Sequence, residues 1–288
     1  VSIKDRKYAG TLVNGDKAGR SKLIGNKYIK LSALGAGSDW GGFLQHLGIA
    51  SMNLGFGGEG SGGEYHSIFD SYDAFVKFKD PGYLYGVALS KTAGRIMLRL
   101  ANAEVLPIDF NSFFKTVNDY AGEVKALLEN TRAETETENK MIKENLFDLA
   151  KDPTKPYAAP KPKDIVPFLN FSSLENALAQ LKTSTEEFQK LYTKAPMLPA
   201  AKLLQLNEVL YKAERSLLQS QGLPRRIWYR HQVYAPGFYT GYGVKTLPGI
   251  REAIEQRYWK EAQDNIEIVA KTLQAYTAAV TAAVNLVK

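Results

Sequence analysis

Cysteine is absent from all 288 residues, which excludes a disulfide framework and any thiolate nucleophile or thiolate metal ligand. Histidine is scarce: His46, His66 and His231 are the whole set, so imidazole chemistry narrows to three positions. Long apolar runs are missing as well. The most apolar stretch, Ala275 to Val287, is broken by Tyr276, Thr277, Thr281 and Asn285, well short of the ~20 apolar residues that a membrane helix requires. A repeat at solenoid spacing is also lacking.

What is present is an ordinary globular composition, 44% hydrophobic and 23% charged, in a chain long enough for one large or two modest domains. The net charge of +7 invites a nucleic-acid partner. Several of the lysines, however, fall in a proline-rich stretch between Lys151 and Lys163, where solvation accounts for them, and no nucleic-acid motif accompanies them. Neither a nucleic-acid partner nor a membrane segment is expected.

Two strands are readable near the start. Lys27–Leu34 (KYIKLSAL) alternates weakly, and Gly48–Leu54 reads as a buried strand. Between them a small-residue turn (Gly35–Asp39) leads into a short amphipathic helix, Trp40–Leu47. After the second strand comes a glycine-rich loop, 57–63, which delivers Tyr65, His66 and Ser67 to a helical pattern. Helices are expected over Asp70–Phe78 and Asp80–Glu104, the latter opened by Asp80-Pro81 and stopped by Leu106-Pro107. Two strands cannot form a stable sheet alone, so Val1 is read as starting in mid-domain, with further strands upstream.

From about residue 106 the character becomes helical. Phe113, Val117, Tyr120, Val124 and Leu127 recur at helical spacing, with Asp109 or Asn111 as cap. A charged stretch, 129–151, is read as partly helical, and 151–167, with five prolines, as an extended linker. Ser172-x-x-Glu175 reads as a capping box opening a helix with Leu174, Leu178, Leu181, Phe188 and Leu191 on one face. A third stripe carries Leu203, Leu206, Leu210, Ala213 and Leu217. The fourth, beginning at Pro248, carries Ile266, Val269, Leu273, Tyr276, Val280 and Val287. Four amphipathic stripes predict a four-helix bundle. The fold class is therefore α/β followed by all-α, with domains at 1–105 and 106–288.

A glycine loop at a strand's carboxyl end followed by a polar cluster is where open α/β sheets place ligands. On the residues alone this is a site of unnamed chemistry. His46 on an amphipathic helix and His231 in an aromatic segment read as packed histidines. Tyr65 can equally be a core filler, and Ser38-Asp39 equally a helix N-cap. The loop GFGGEGSGG (55–63) lacks the Lys-Ser/Thr of a phosphate loop.

The motifs GSDWGGFLQHLGIAS (37–51), YHSIFDSY (65–72), GLPRRIWYRHQVYAP (222–236) and LPGI (247–250) occur in an order that resembles glutamate carboxypeptidase II and related di-zinc peptidases. The first two resemble the C-terminal part of that family's catalytic domain. The last two resemble its helical dimerisation domain, which is shared with the transferrin receptor. The resemblance implies a zinc-dependent exopeptidase acting on a peptide substrate through a zinc-activated water and forming a homodimer through the helical domain. It also suggests a periplasmic or extracellular setting.

It further implies that His66 is a zinc ligand and that Tyr65 hydrogen-bonds toward the tetrahedral intermediate. Ser38, Asn53 and Tyr242 then fall on substrate-binding positions. The chain departs from the mammalian pattern at several of these. Ser38 stands where an asparagine is found, Asn53 and Gly55 where two arginines bind an acidic side chain, and Gly241 where a lysine precedes the tyrosine. A specificity broader than C-terminal glutamate is expected. The remaining zinc ligands and the general base lie upstream of this segment in the family, so the chain alone is expected to be inactive. The alternative is a non-catalytic, transferrin receptor-like dimeric scaffold or receptor, a branch that lacks the histidine found here as His66. A bare helical interaction module is a third reading.

Overall fold

The computed structural model describes residues 32–35, 37–56 and 63–288. The expected strand residues 27–31 and the loop positions 57–62 lie outside them. The described residues divide into two compact units. One comprises the described residues of 52–107, and the other joins 32–51 to 108–288.

The larger unit is helical, with one small sheet. Asp109 opens helix α1 (Phe110–Lys143), its carboxylate accepting from Ser112 N at 3.0 Å and from Ser112 Oγ at 2.6 Å. That bond satisfies one of the free amides at the helix start. Helix α1 spans 34 residues, about 50 Å, and buries Phe110, Val117, Tyr120, Ala121, Val124 and Leu128 along its first half. A short helix α2 (Leu146–Ala150) follows.

The second half of α1 is mostly polar and still helical, because the irregular chain that follows returns along it. Asn139 donates to Lys163 O at 2.7 Å and accepts from Lys163 N at 2.9 Å. Arg132 reaches Pro167 O at 3.0 Å. The expected linker at 151–167 is thus an irregular strap whose backbone is partly satisfied by α1.

Helix α3 (Ser172–Leu191) buries Leu174, Ala177, Leu178, Leu181, Thr185 and Phe188. The expected capping box does not form. Asn170 Oδ1 accepts from Ser172 N at 2.9 Å, Ser173 Oγ bonds Glu267 at 2.8 Å, and Glu175 pairs with Lys125 of α1. A charged partner on a neighbouring helix has taken the glutamate away from its own helix start.

Helix α4 (Ala200–Lys212) tightens into a 3-10 turn, Ala213–Leu217. After an irregular segment come β1 (Tyr234–Pro236) and β2 (Val244–Thr246), paired antiparallel. Helix α5 (Pro248–Glu255) leads into α6 (Trp259–Val287). Helix α6 packs along α3 and also against α4 and α5, while α1 packs against α3 and α5. Phe110 joins three of these helices, its ring 5.1 Å from that of Phe188 and 5.8 Å from that of Tyr276, both edge-on. Such edge-to-face pairs add to the burial of their apolar area.

In the smaller unit Ser71 caps a turn at Tyr72–Ala74. Asp80, buried, accepts from Tyr85 N at 3.0 Å and Gly86 N at 2.8 Å, closing the start of the helix Leu84–Ala101.

The second expected strand is corrected, and the described residues of the first do not pair. Residues 32–34 and 48–56 are irregular, and the one paired sheet among the described residues is β1–β2. A strand exists only through a neighbour that completes its ladder, and no described segment pairs with 48–56. The helix expected over 40–47 forms as a π-helical turn, Gly42–His46. Among the described residues no helix is long and apolar enough to cross a membrane.

Candidate functional site

Within the larger unit, the segment around Ser38 is held against the irregular chain between α4 and α5. Gln45, 1% exposed, anchors it from both sides. Its side-chain amide donates to Gly35 O at 2.7 Å and Leu34 O at 3.2 Å. Its own carbonyl accepts from Arg230 N at 2.9 Å and His231 N at 3.2 Å. Trp40 Nε1 adds a second donor to Gly35 O at 3.1 Å. His46 stacks on Trp228 with ring centres 4.8 Å apart, and its Nδ1 lies 2.7 Å from Trp228 O.

His231 is fully buried and its tautomer is fixed by its surroundings. Nδ1 accepts from Val233 N at 3.2 Å and Tyr234 N at 3.3 Å, so the proton sits on Nε2 and is donated to Glu214 at 3.0 Å. Tyr234 OH donates to the same carboxylate oxygen at 2.7 Å. Burial works to raise the pKa of Glu214, yet the hydrogen bonds from His231 and Tyr234 hold it below its ordinary value. Burial foremost, then the Glu214 charge, pushes the Tyr234 hydroxyl well above its own.

Arg226 ties the same segment to the hairpin and α5, donating to Pro236 O and Glu252, while Glu252 accepts from Phe238 N at 2.7 Å. Burial raises the Glu252 pKa.

Tyr242, a sequence-predicted site residue, packs on the backbone of Gly37, which precedes another, the exposed Ser38. A Cβ at Gly37 would stand 2.4 Å from Tyr242 Cδ1. One at Gly35 would stand 2.6 Å from Tyr242 O. Both glycines are required by this close approach.

Asn53, Tyr65 and His66 belong to the other unit. Asn53 is exposed, and nothing lies within 4 Å of a Cβ at Gly55. Tyr65 and His66 stack on each other with centres 3.9 Å apart, on a turn closed by Ser67, whose N and Oγ both donate to Glu64 O at 2.9 and 2.6 Å. His66 has φ 61°, a left-handed backbone uncommon for a non-glycine residue. Lys79 pairs with Glu64, and that hydrogen bond lowers the Glu64 pKa.

Among the described residues no three His, Asp or Glu side chains gather as a metal site. One imidazole is not a zinc centre, which takes three or four protein donors. The described residues alone therefore do not fit a two-zinc centre. Sequence reasoning missed Gln45, Trp40, Glu214 and Arg226, whose roles depend on partners remote in the chain. Gln45 carried the one available signal, a polar residue set between Leu44 and Leu47 on a short amphipathic turn.

Residues 169–281 match the transferrin receptor-like dimerisation domain family. The chain as a whole is similar to peptidases of glutamate carboxypeptidase type, as its motifs suggest. It is 28% identical over 247 residues to a probable glutamate carboxypeptidase of Arabidopsis thaliana, covering 83% of this chain and 30% of that protein. It is 29% identical over 243 residues to one from Arthroderma benhamiae, covering 83% and 29%. To aminopeptidase NAALADL1 of Rattus norvegicus it is 27% identical over 273 residues, covering 90% and 32%. The chain thus spans about three-tenths of the length of these relatives.

Proposed function

We propose that this chain is the C-terminal piece of a zinc-dependent exopeptidase, in which it supplies one zinc ligand, part of the substrate wall and the dimerising helices. The observation that carries this reading is the similarity to carboxypeptidase- and aminopeptidase-named proteins across more than four-fifths of the chain. The packing of Tyr242 on Gly37, beside Ser38, supports it by joining two residues that the family resemblance assigns to substrate.

In the whole protein His66 is a zinc ligand and Tyr65 donates toward the oxyanion that forms at the scissile carbonyl. The bound metal would lower the pKa of a water and polarise that carbonyl. Ser38, Asn53 and Tyr242 line the substrate. Charged recognition of a di-acid calls for paired cations, and Asn53, Gly55 and Gly241 supply none, which favours neutral or varied residues over glutamate. The helices α1, α3, α4 and α6 act as a four-helix bundle that forms a symmetric homodimer. Alone, the 288-residue chain is inactive.

The test is hydrolysis of a set of neutral and acidic dipeptides by the full-length protein. His66→Ala is expected to abolish nearly all turnover, and Tyr65→Phe to lower kcat with metal content unchanged. Full activity in His66→Ala would remove the assignment. A wild type that cleaves nothing would favour the scaffold reading.

A further inference from the structure

We infer that Gln45 is a positioning residue that sets the Ser38–Tyr242 wall. Its side chain holds the chain at 34–35 and its backbone carbonyl holds the chain at 230–231. The carbonyls of Leu34 and Gly35 approach the helical unit where water has little access, and a buried carbonyl without a donor is costly. Two carbonyl oxygens can accept only from the NH2 end of an amide, so the orientation of the Gln45 side chain is fixed by its partners at 3.2 and 2.7 Å.

On the far side, the Gln45 carbonyl takes both Arg230 N and His231 N, and His231 is itself locked by Glu214. The bonds therefore run from Glu214 through His231 and Gln45 to Gly35. Gly35 touches the backbone of Tyr242 and Val244, and two residues later Gly37 meets the Tyr242 ring. Releasing the amide frees the wall at the point where it is closest to Tyr242. An apolar residue of the same length would fill the space but hold neither carbonyl.

That this wall touches substrate rests on the proposed function; that Gln45 holds it does not. The Gly37 α-proton that a Cβ would replace points at Cδ1 and Cε1 of the Tyr242 ring, and its chemical shift, displaced by the ring current, reports the contact directly. In the 288-residue chain labelled at glycine, Tyr242→Leu identifies that shift by abolishing it. Gln45→Met is expected to collapse it by more than half, while the resonances of Gly249 and Gly222, packed on Asn265 and on the Ile227 backbone, stay in place. Trp40→Phe, which removes only the second donor to Gly35, gives a smaller change of the same kind and serves if Gln45→Met does not fold.

In the full-length protein Gln45→Met is expected to raise KM about fivefold or more with kcat and zinc content unchanged. A Gly37 shift retained in both variants, or a Gly249 resonance that moves with it, would overturn the positioning role. A collapsed Gly37 shift in a full-length protein that hydrolyses no peptide would sink the functional reading and leave the positioning role standing.

Discussion

The Tyr242 ring lies directly on the backbone of Gly37, so closely that a Cβ there would stand 2.4 Å from Cδ1 and 2.7 Å from Cε1. Gly37 also has φ +92°, where an L side chain is strained by roughly 1–2 kcal/mol. Gly37→Ala therefore displaces the ring and strains the loop together. Denaturant unfolding should show a loss of about 1–3 kcal/mol. The control is Gly55→Ala, with nothing within 4 Å, which should stay within about 0.5 kcal/mol.

Acid sensitivity should centre on Glu214. Its folded pKa lies below the ordinary 4.5 because the His231 and Tyr234 interactions outweigh burial. A depressed carboxyl contributes stability that is present above the unfolded value and is lost as pH falls through the folded one. Melting temperature should thus decline as pH drops below about 4.5, and Glu214→Gln should flatten that part of the profile. The variant should also be less stable at neutral pH, since the charge-assisted bonds from His231 and Tyr234 are weakened. An identical acid limb in the variant would assign the sensitivity elsewhere.

The four long helices were legible because packing imposes a period that local sequence records. Leu174, Leu178, Leu181 and Phe188 recur on one face and are buried on that face. Strands were not legible in the same way. An apolar run such as 48–54 specifies extended chain but not the neighbour that would make it a strand. Conversely β1 and β2, three residues each, the first ending at Pro236, are too short to show alternation. The capping box misled because Glu175 finds Lys125 across the helix interface. The family resemblance singled out Ser38 and Tyr242, but the Gln45 bonds that hold their surroundings join the segment to residues near 230, which no local pattern can reveal.

Specificity should be alterable at the two positions, Asn53 and Gly55, where the mammalian pattern described above has arginines. Gly55 has open space around its Cβ position and Asn53 is exposed, so neither arginine is excluded by packing. In the full-length protein, Asn53→Arg with Gly55→Arg should raise kcat/KM for peptides with a C-terminal glutamate about tenfold relative to those with alanine, on the scale of a charge-assisted bond. An unchanged ratio would place those residues away from the substrate.

Metal content tests the central claim most directly. The full-length protein, purified by gel filtration and measured by elemental analysis, is expected to carry about two zincs per protomer, and His66→Ala fewer, with its helical content intact. No zinc in the wild type, even after reconstitution, or equal zinc in wild type and His66→Ala, would contradict the account.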